Sequence, residues 1–226
     1  AVRLEPDRVA LFGYAHVPWM KTHQKLIKDE TLPDFSERWQ QSEAAANRLV
    51  ELGYVRIGFD HFARPDDDLA VAHAEGRMHR NFQGYTTDTA PALLGFGASA
   101  IGSLPQGYVQ NTQPLRTYRE AVTFADFATE RGVALSDDDR LRRDIIERLM
   151  CDMTVDLNAL CKTHDMARET LNDGMKRMEP LTEDGIVEVN DGRVTLTAQG
   201  RPFVRLVAAA FDAYLNKGEK RHSKAV

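Results

Sequence analysis

Cysteine is scarce in this chain, with only Cys151 and Cys161 among 226 residues. Two thiols cannot build the disulfide framework of a small secreted domain, and a spacing of ten differs from the close pairs of zinc and cluster sites. Both read as reduced, buried, small hydrophobes. Long apolar runs are also missing. Nothing approaches the roughly 18 residues a bilayer-crossing helix needs, so no helical membrane span is expected. A basic surplus is absent too: the formal net charge is -5, and both halves of the chain share it, which argues against a polyanionic main partner such as nucleic acid. The first residues, Ala1 to Pro6, carry neither a basic region nor an apolar stretch of the secretory kind, so the expected location is the cytoplasm.

What is present suits a core-forming protein of one large or two small domains, with 42% hydrophobic and 28% charged residues. Val2 and Leu4 read as the last turn of a helix stopped by Pro6, ahead of a strand over 8–14. A polar loop between Pro18 and Pro33 leads to a helix over 36–52, stopped by Gly53, and a strand over 54–59 expected to run parallel to the first. Asp66 or Asp67 caps a short helix ending at Gly76, and 77–83 reads as extended. Strands are expected over 93–104 and 108–110, and a helix over 118–130.

A second unit is expected from 136 to 226, after a first unit of 1–135. Ser136 followed by three aspartates is a strong helix start. Leu141, Ile145, Leu149 and Met153 step by four, Leu157 and Leu160 sit on a second helix, and Leu171, Met175 and Met178 line a third over 167–179. A hairpin turns at Asn190-Asp191-Gly192, and Thr197 caps a closing helix that carries Phe203, Leu206, Val207, Ala210, Phe211 and Tyr214. Three helices, a hairpin and a last helix make a winged-helix-like α+β domain. Its tail over 217–226 is polar enough to fray.

Four segments carry specific chemistry. They are Phe12-Gly13-Tyr14-Ala15-His16-Val17-Pro18, the block from Asp60 through Arg64 to Asp68, His79-Arg80-Asn81-Phe82-Gln83-Gly84-Tyr85, and Gly95 to Gly102. In the block, Pro65-Asp66-Asp67-Asp68 is better explained as a helix start than as a metal cage. His61 and Arg64 suit either carboxylate binding or structural ion pairs. Phe82, Gln83 and Gly84 place an aromatic face, an amide and an open backbone together, as a flat ligand requires. The glycines at 95, 97 and 102 lack the lysine and spacing of phosphate-binding loops.

Together these segments resemble the oxygen-independent coproporphyrinogen III oxidases of bacterial haem synthesis, which are radical S-adenosylmethionine enzymes. The resemblance runs through the whole chain but corresponds to about the second half of that family's chain, without the upstream Cys-x-x-x-Cys-x-x-Cys segment that holds the 4Fe-4S cluster. It implies the α/β fold of an incomplete parallel radical-enzyme barrel, of which this chain holds the last strand, extra strands and a helical cover. It implies oxidative decarboxylation of two propionates of coproporphyrinogen III, giving protoporphyrinogen IX, with an electron donor for the cluster and a monomeric parent enzyme. Ala15 and Ile101 then match positions that contact S-adenosylmethionine. Phe82 and Gln83 match active-site positions beside a second S-adenosylmethionine or the substrate. No residue here is implied as a catalytic acid, base or nucleophile. The isolated chain is expected to bind no cluster, to be inactive, and to self-associate through an open strand edge near Val9 to Phe12. Two other readings stand beside this one. A nucleic-acid-binding winged helix is disfavoured by Glu169, Asp173 and Glu179 on its third helix. A haem-binding relative could use His16, His23, His61, His73 or His79 as an axial ligand.

Overall fold

The computed structural model describes residues 2–215. After a 3-10 turn at Val2–Leu4 come β1 (Arg8–Ala10), α1 (Phe35–Glu51), β2 (Val55–Ile57) and β3 (His61–Ala63). Helix α1 starts where Asp34 accepts the Glu37 N–H at 2.9 Å while the Glu37 carboxylate accepts the Asp34 N–H at 3.0 Å, a reciprocal cap of about 1 kcal/mol. It buries Ala46 and Leu49 against Tyr54 and Phe62.

The first sheet has the order β1-β3-β2, and both pairings are antiparallel. β1 and β2 share a direction, as expected from sequence, but β3 lies between them, so they do not pair with each other. Only Gly58, Phe59 and Asp60 join β2 to β3, and so short a link can form only an antiparallel hairpin. None of the strand pairings among the described residues is parallel. Strand β1 also stops at Ala10 and does not reach Tyr14.

Helix α2 (Asp68–Ala74) is capped by Asp67, which accepts the Leu69 N–H at 2.8 Å and pairs with Arg8 at 2.8 Å, fastening α2 to β1. The segment expected to be extended through Gln83 is instead a hairpin of β4 (His79–Asn81) and β5 (Gly84–Thr86), with Phe82 and Gln83 as its turn. The Asn81 side-chain oxygen accepts the Gln83 N–H at 2.8 Å, and Gly84 resumes the strand at φ +138°.

A third sheet joins β6 (Ile101–Leu104), β7 (Gly107–Asn111) and β8 (Thr129–Ala134). The long strand expected over 93–104 is reduced to its last four residues plus one bridge from Leu93 to Ser103. The preceding loop is held by the Asn111 amide, which donates to the carbonyls of Gly95 and Gly97. The helix expected over 118–130 is α3 (Leu115–Thr123), and residues 129–130 belong to β8 instead. Helix α3 buries no side chain, so the ladder bonds of β7 win the following residues.

The remaining elements are α4 (Asp137–Asp152), β9 (Thr154–Asp156), α5 (Leu157–Thr163), α6 (Asn172–Glu183), β10 (Val187–Asn190), β11 (Arg193–Leu196) and α7 (Val204–Ala209). Ser136 caps α4 reciprocally with Asp139. Leu141, Ile145, Leu149, Leu157, Leu171, Met178, Val194 and Phe211 are buried in one cluster. Strand β9, which the sequence did not suggest, completes the sheet β10-β11-β9. The third helix begins as a 3-10 turn at Arg168–Leu171 and continues through Pro180. Thr197 accepts the Gly200 N–H, but regular α-helix starts only at Val204 and ends before Tyr214. The tail over 217–226 lies outside the described residues.

Arg142, 7% exposed, ties this unit together. Its guanidinium donates to both oxygens of Asp138, to Asp173 at 3.0 Å, and to the carbonyls of Thr170 and Phe211. Burial alone would raise the Asp173 pKa, but hydrogen bonds from Arg142 and the Gly174 N–H, with the Arg142 and Arg177 charges, hold it below its ordinary value.

Helix α4 also packs against the earlier sheets. Cys151 of α4 is buried among Ile57, Ala63, Leu69, Met78 and Tyr85. Arg148 donates to the Met78 carbonyl at 2.8 Å, and Glu147 accepts the Arg80 N–H at 2.9 Å. Gly58, at φ +56°, stands at the seam. A Cβ there would fall on the Tyr85 hydroxyl, which donates to the Met150 carbonyl at 3.0 Å. Substituting Gly58→Ala combines overpacking with a strained backbone and should destabilise the chain by about 2–4 kcal/mol, read as a lower urea midpoint. An unchanged midpoint contradicts this packing. A depressed Asp173 pKa contributes stability above the ordinary carboxylate value of 3.8 that is lost as pH falls through the folded value. The stability gap between wild type and Asp173→Asn should therefore be present at about pH 6 and shrink steadily below about pH 4 in urea titrations.

Candidate functional site

At the mouth of this seam lies a cavity of about 630 Å³. That volume suits a small-molecule site. Its walls come from the loop after β1 (Leu11 to Ala15), from α1, from the β2–β3 turn, from the Phe82-Gln83 turn, from Arg201 and Pro202 just before α7, and from Arg205 within it. Early and late segments of the chain thus both contribute. Trp39 of α1 stacks on Phe203, with ring centroids 5.8 Å apart, and holds the two sides in register.

The loop after β1 has little regular structure, so it needs another anchor. Gln24 supplies one: its buried side chain accepts the Val17 N–H at 2.6 Å and donates to the Ala15 carbonyl at 3.1 Å. Ala15 is thereby fixed on the cavity wall through its backbone. Phe82 and Gln83 face the same space from the opposite turn. Phe82 is 53% exposed and meets Tyr108 of β7 edge to face at 5.2 Å. An exposed aromatic at a cavity mouth offers a stacking face.

Ala15, Phe82 and Gln83 are therefore brought together. Ile101 is not among the residues that line this cavity. It sits on β6, paired with Gln110, and its backbone lies against Gly95, where no Cβ could fit. Of the pair left open by the sequence, His61 lines the cavity and Arg64 does not. Arg64 donates to the Glu5 carbonyl and lies 3.7 Å from Asp7, a surface contact. The His61 Nδ1 is 2.6 Å from Asp60, and its ring packs edge-on against Tyr85. Burial pushes the Tyr85 hydroxyl far above its ordinary range, so it acts as a neutral donor.

The charge of the cavity is the feature sequence reading missed. Five arginines (38, 56, 80, 201, 205) line it against Glu43 and Asp60, an excess of +3 in a chain of net charge -5. Both carboxylates are engaged, Asp60 with His61 and Glu43 with Arg56 at 3.3 Å. Arg201 donates to the Gly58 carbonyl at 2.5 Å, and its Nε has no partner. Burial, then the nearby Arg56 charge, lowers its pKa. These arginines stand far apart in sequence and gather only through the seam, so no local motif announces them.

With this geometry in place, comparison with known proteins is informative. Residues 135–203 match the HemN C-terminal domain. The chain is 52% identical over 223 residues to the oxygen-independent coproporphyrinogen III oxidase of Bradyrhizobium diazoefficiens, covering 99% of this chain and 50% of that protein. It is 41% identical over 215 residues to the enzyme of that name from Escherichia coli K12, covering 95% and 47%. The solved structure of coproporphyrinogen III oxidase (HemN) from Escherichia coli, described as a radical SAM enzyme, superposes with a TM-score of 0.89 at 40% identity, covering 95% of this chain and 50% of that one. The chain thus spans about half the length of the curated relatives it matches. In sequence and in fold the chain corresponds to about half the length of these oxygen-independent coproporphyrinogen III oxidases, and its residues 135–203 to their C-terminal domain.

Proposed function

We infer that this chain forms the substrate-holding half of an enzyme of haem synthesis that decarboxylates coproporphyrinogen III oxidatively to protoporphyrinogen IX. The observation that carries the reading is the cavity at the seam, which joins Ala15, Phe82 and Gln83 to an arginine-rich wall. In this reading residues 1–135 continue the radical-enzyme barrel, and the winged-helix-like unit from 136 onward covers the substrate.

Two groups belong to such an enzyme, a 4Fe-4S cluster and S-adenosylmethionine. The residues here do not fit the cluster. Cys151 and Cys161 lie on different helices, both are buried, and burial pushes the Cys151 thiol up to about 12. Thiolate ligation needs the opposite shift. S-adenosylmethionine fits better, through the fixed Ala15 backbone on the cavity wall and Ile101 at a separate position on β6, while Phe82 and Gln83 serve a second S-adenosylmethionine or the substrate. When bound, and given one electron from a cluster whose ligands this chain does not supply, that group would provide hydrogen-abstracting chemistry at a propionate side chain. The chain's own residues hold and orient. Phe82 and Trp39 present flat faces, and Gln83 can donate and accept. None of them transfers a proton.

The direct test grafts this chain in place of the matching half of the Bradyrhizobium diazoefficiens relative. The reconstituted chimera should convert coproporphyrinogen III to protoporphyrinogen IX under anaerobic conditions, and a folded, cluster-loaded chimera without turnover contradicts the reading. Thiol titration of the chain alone should find neither cysteine reactive at about pH 8 and both reactive after unfolding. Two fast-reacting native thiols would overturn the assignment of both as core residues.

A further inference from the structure

The arginines of the cavity wall differ in how they are satisfied. Arg56 already has Glu43, and Arg38 donates to the Pro33 carbonyl. Arg80, Arg201 and Arg205 have no carboxylate within ion-pair distance among the described residues. Arg80 lies over the Tyr85 ring at 5.2 Å and leaves its buried Nε unpartnered. Arg205 lies over the Phe59 ring at 4.6 Å. The Nε of Arg201 is likewise buried and unpartnered. Stacking fixes the plane of a guanidinium without using its N–H donors, so two of these groups are oriented yet still able to bind.

Unpartnered buried donors cost free energy in the empty protein, and an anion that accepts from them recovers it. Arginine suits a carboxylate because its fork matches the two oxygens. A single carboxylate needs one such fork. Three of them, contributed by the β4 strand and by the segment at the start of α7, fit a ligand with several carboxylates spread around a flat body, whose faces Phe82 and Trp39 can cover.

We propose that Arg80, Arg201 and Arg205 form a carboxylate anchor that holds propionates of a tetracarboxylate porphyrinogen and so sets which ring faces the reacting end of the cavity. This rests on reading the cavity as the substrate site. The three act by binding and positioning, and carry no chemistry of their own. S-adenosylmethionine also bears a carboxylate, so the test must tell the two sources apart.

The probes are coproporphyrin III with four carboxylates, mesoporphyrin IX with two, and S-adenosylmethionine, each titrated into the purified 226-residue chain. The wild type should bind coproporphyrin III more tightly than mesoporphyrin IX. Arg80→Gln and Arg205→Gln should each weaken coproporphyrin III binding by about tenfold, the double variant should erase the preference for four carboxylates, and S-adenosylmethionine affinity should stay within about twofold. Arg205 is exposed, so its replacement leaves the core intact, and melting temperatures confirm folding of each variant. Arg193→Gln, on the distant hairpin paired with Asp156, is the control and should change nothing. Unaltered coproporphyrin III affinity in both single variants overturns the anchor. Loss of S-adenosylmethionine binding instead reassigns the row to the amino-acid carboxylate and also overturns it, as does a wild-type chain that binds no porphyrin. The chimera assay decides the oxidase reading separately, so an active chimera with indifferent arginines sinks only the anchor.

Discussion

The close approach of two chain segments at Gly58 is the constraint on which the rest of the molecule depends. A residue without a side chain, in a left-handed backbone conformation, lets the Tyr85 hydroxyl fill the space a Cβ would take. That hydroxyl then reaches the last turn of α4, while the Gly58 carbonyl receives Arg201 from the far end of the chain. Tyr85, the end of α4 and Arg201, the last of these 143 residues away in sequence, thus meet at the Gly58 peptide. The cavity exists because they do.

The meeting also explains why an acidic chain carries a positive hollow. Desolvation disfavours a charged guanidinium, and Arg201 feels this along with the charge of Arg56. A carbonyl bond at the seam offsets part of that cost, and ring stacking steadies Arg80 and Arg205. Elsewhere the arginines are neutralised in place, as Arg142 is by Asp138 and Asp173. Within the cavity the two carboxylates are occupied by His61 and Arg56, so positive charge is left facing the opening. A field of this kind favours an anionic ligand and directs its approach.

Much of this was legible in the sequence where local physics decides the outcome. The four-residue stepping of Leu141, Ile145 and Leu149, the Ser136 cap and the Asp191-Gly192 turn each gave the right element, because each is settled within a few residues. Pairing between distant segments was less legible. Strand β3 separates two strands that looked like neighbours, β9 is three residues long, and residues 129–130 joined a ladder despite a helical pattern. Of the cavity wall, Ala15, Phe82 and Gln83 were singled out through short motifs that carry the family resemblance, and Ile101, singled out in the same way, is not among the lining residues. Gln24 and the arginine wall gave no local sign. Their roles arise from tertiary placement, and a lone glutamine or arginine in sequence reads as surface.

The claim at the centre is that the seam builds a carboxylate-binding cavity for a flat substrate, and a crystal structure of a complete enzyme containing this half, soaked with coproporphyrin III, tests it most directly. The account predicts the macrocycle between Trp39 and Phe82 with propionates on Arg80, Arg201 and Arg205. Density for the porphyrin outside the seam, with those arginines turned to solvent, would contradict it.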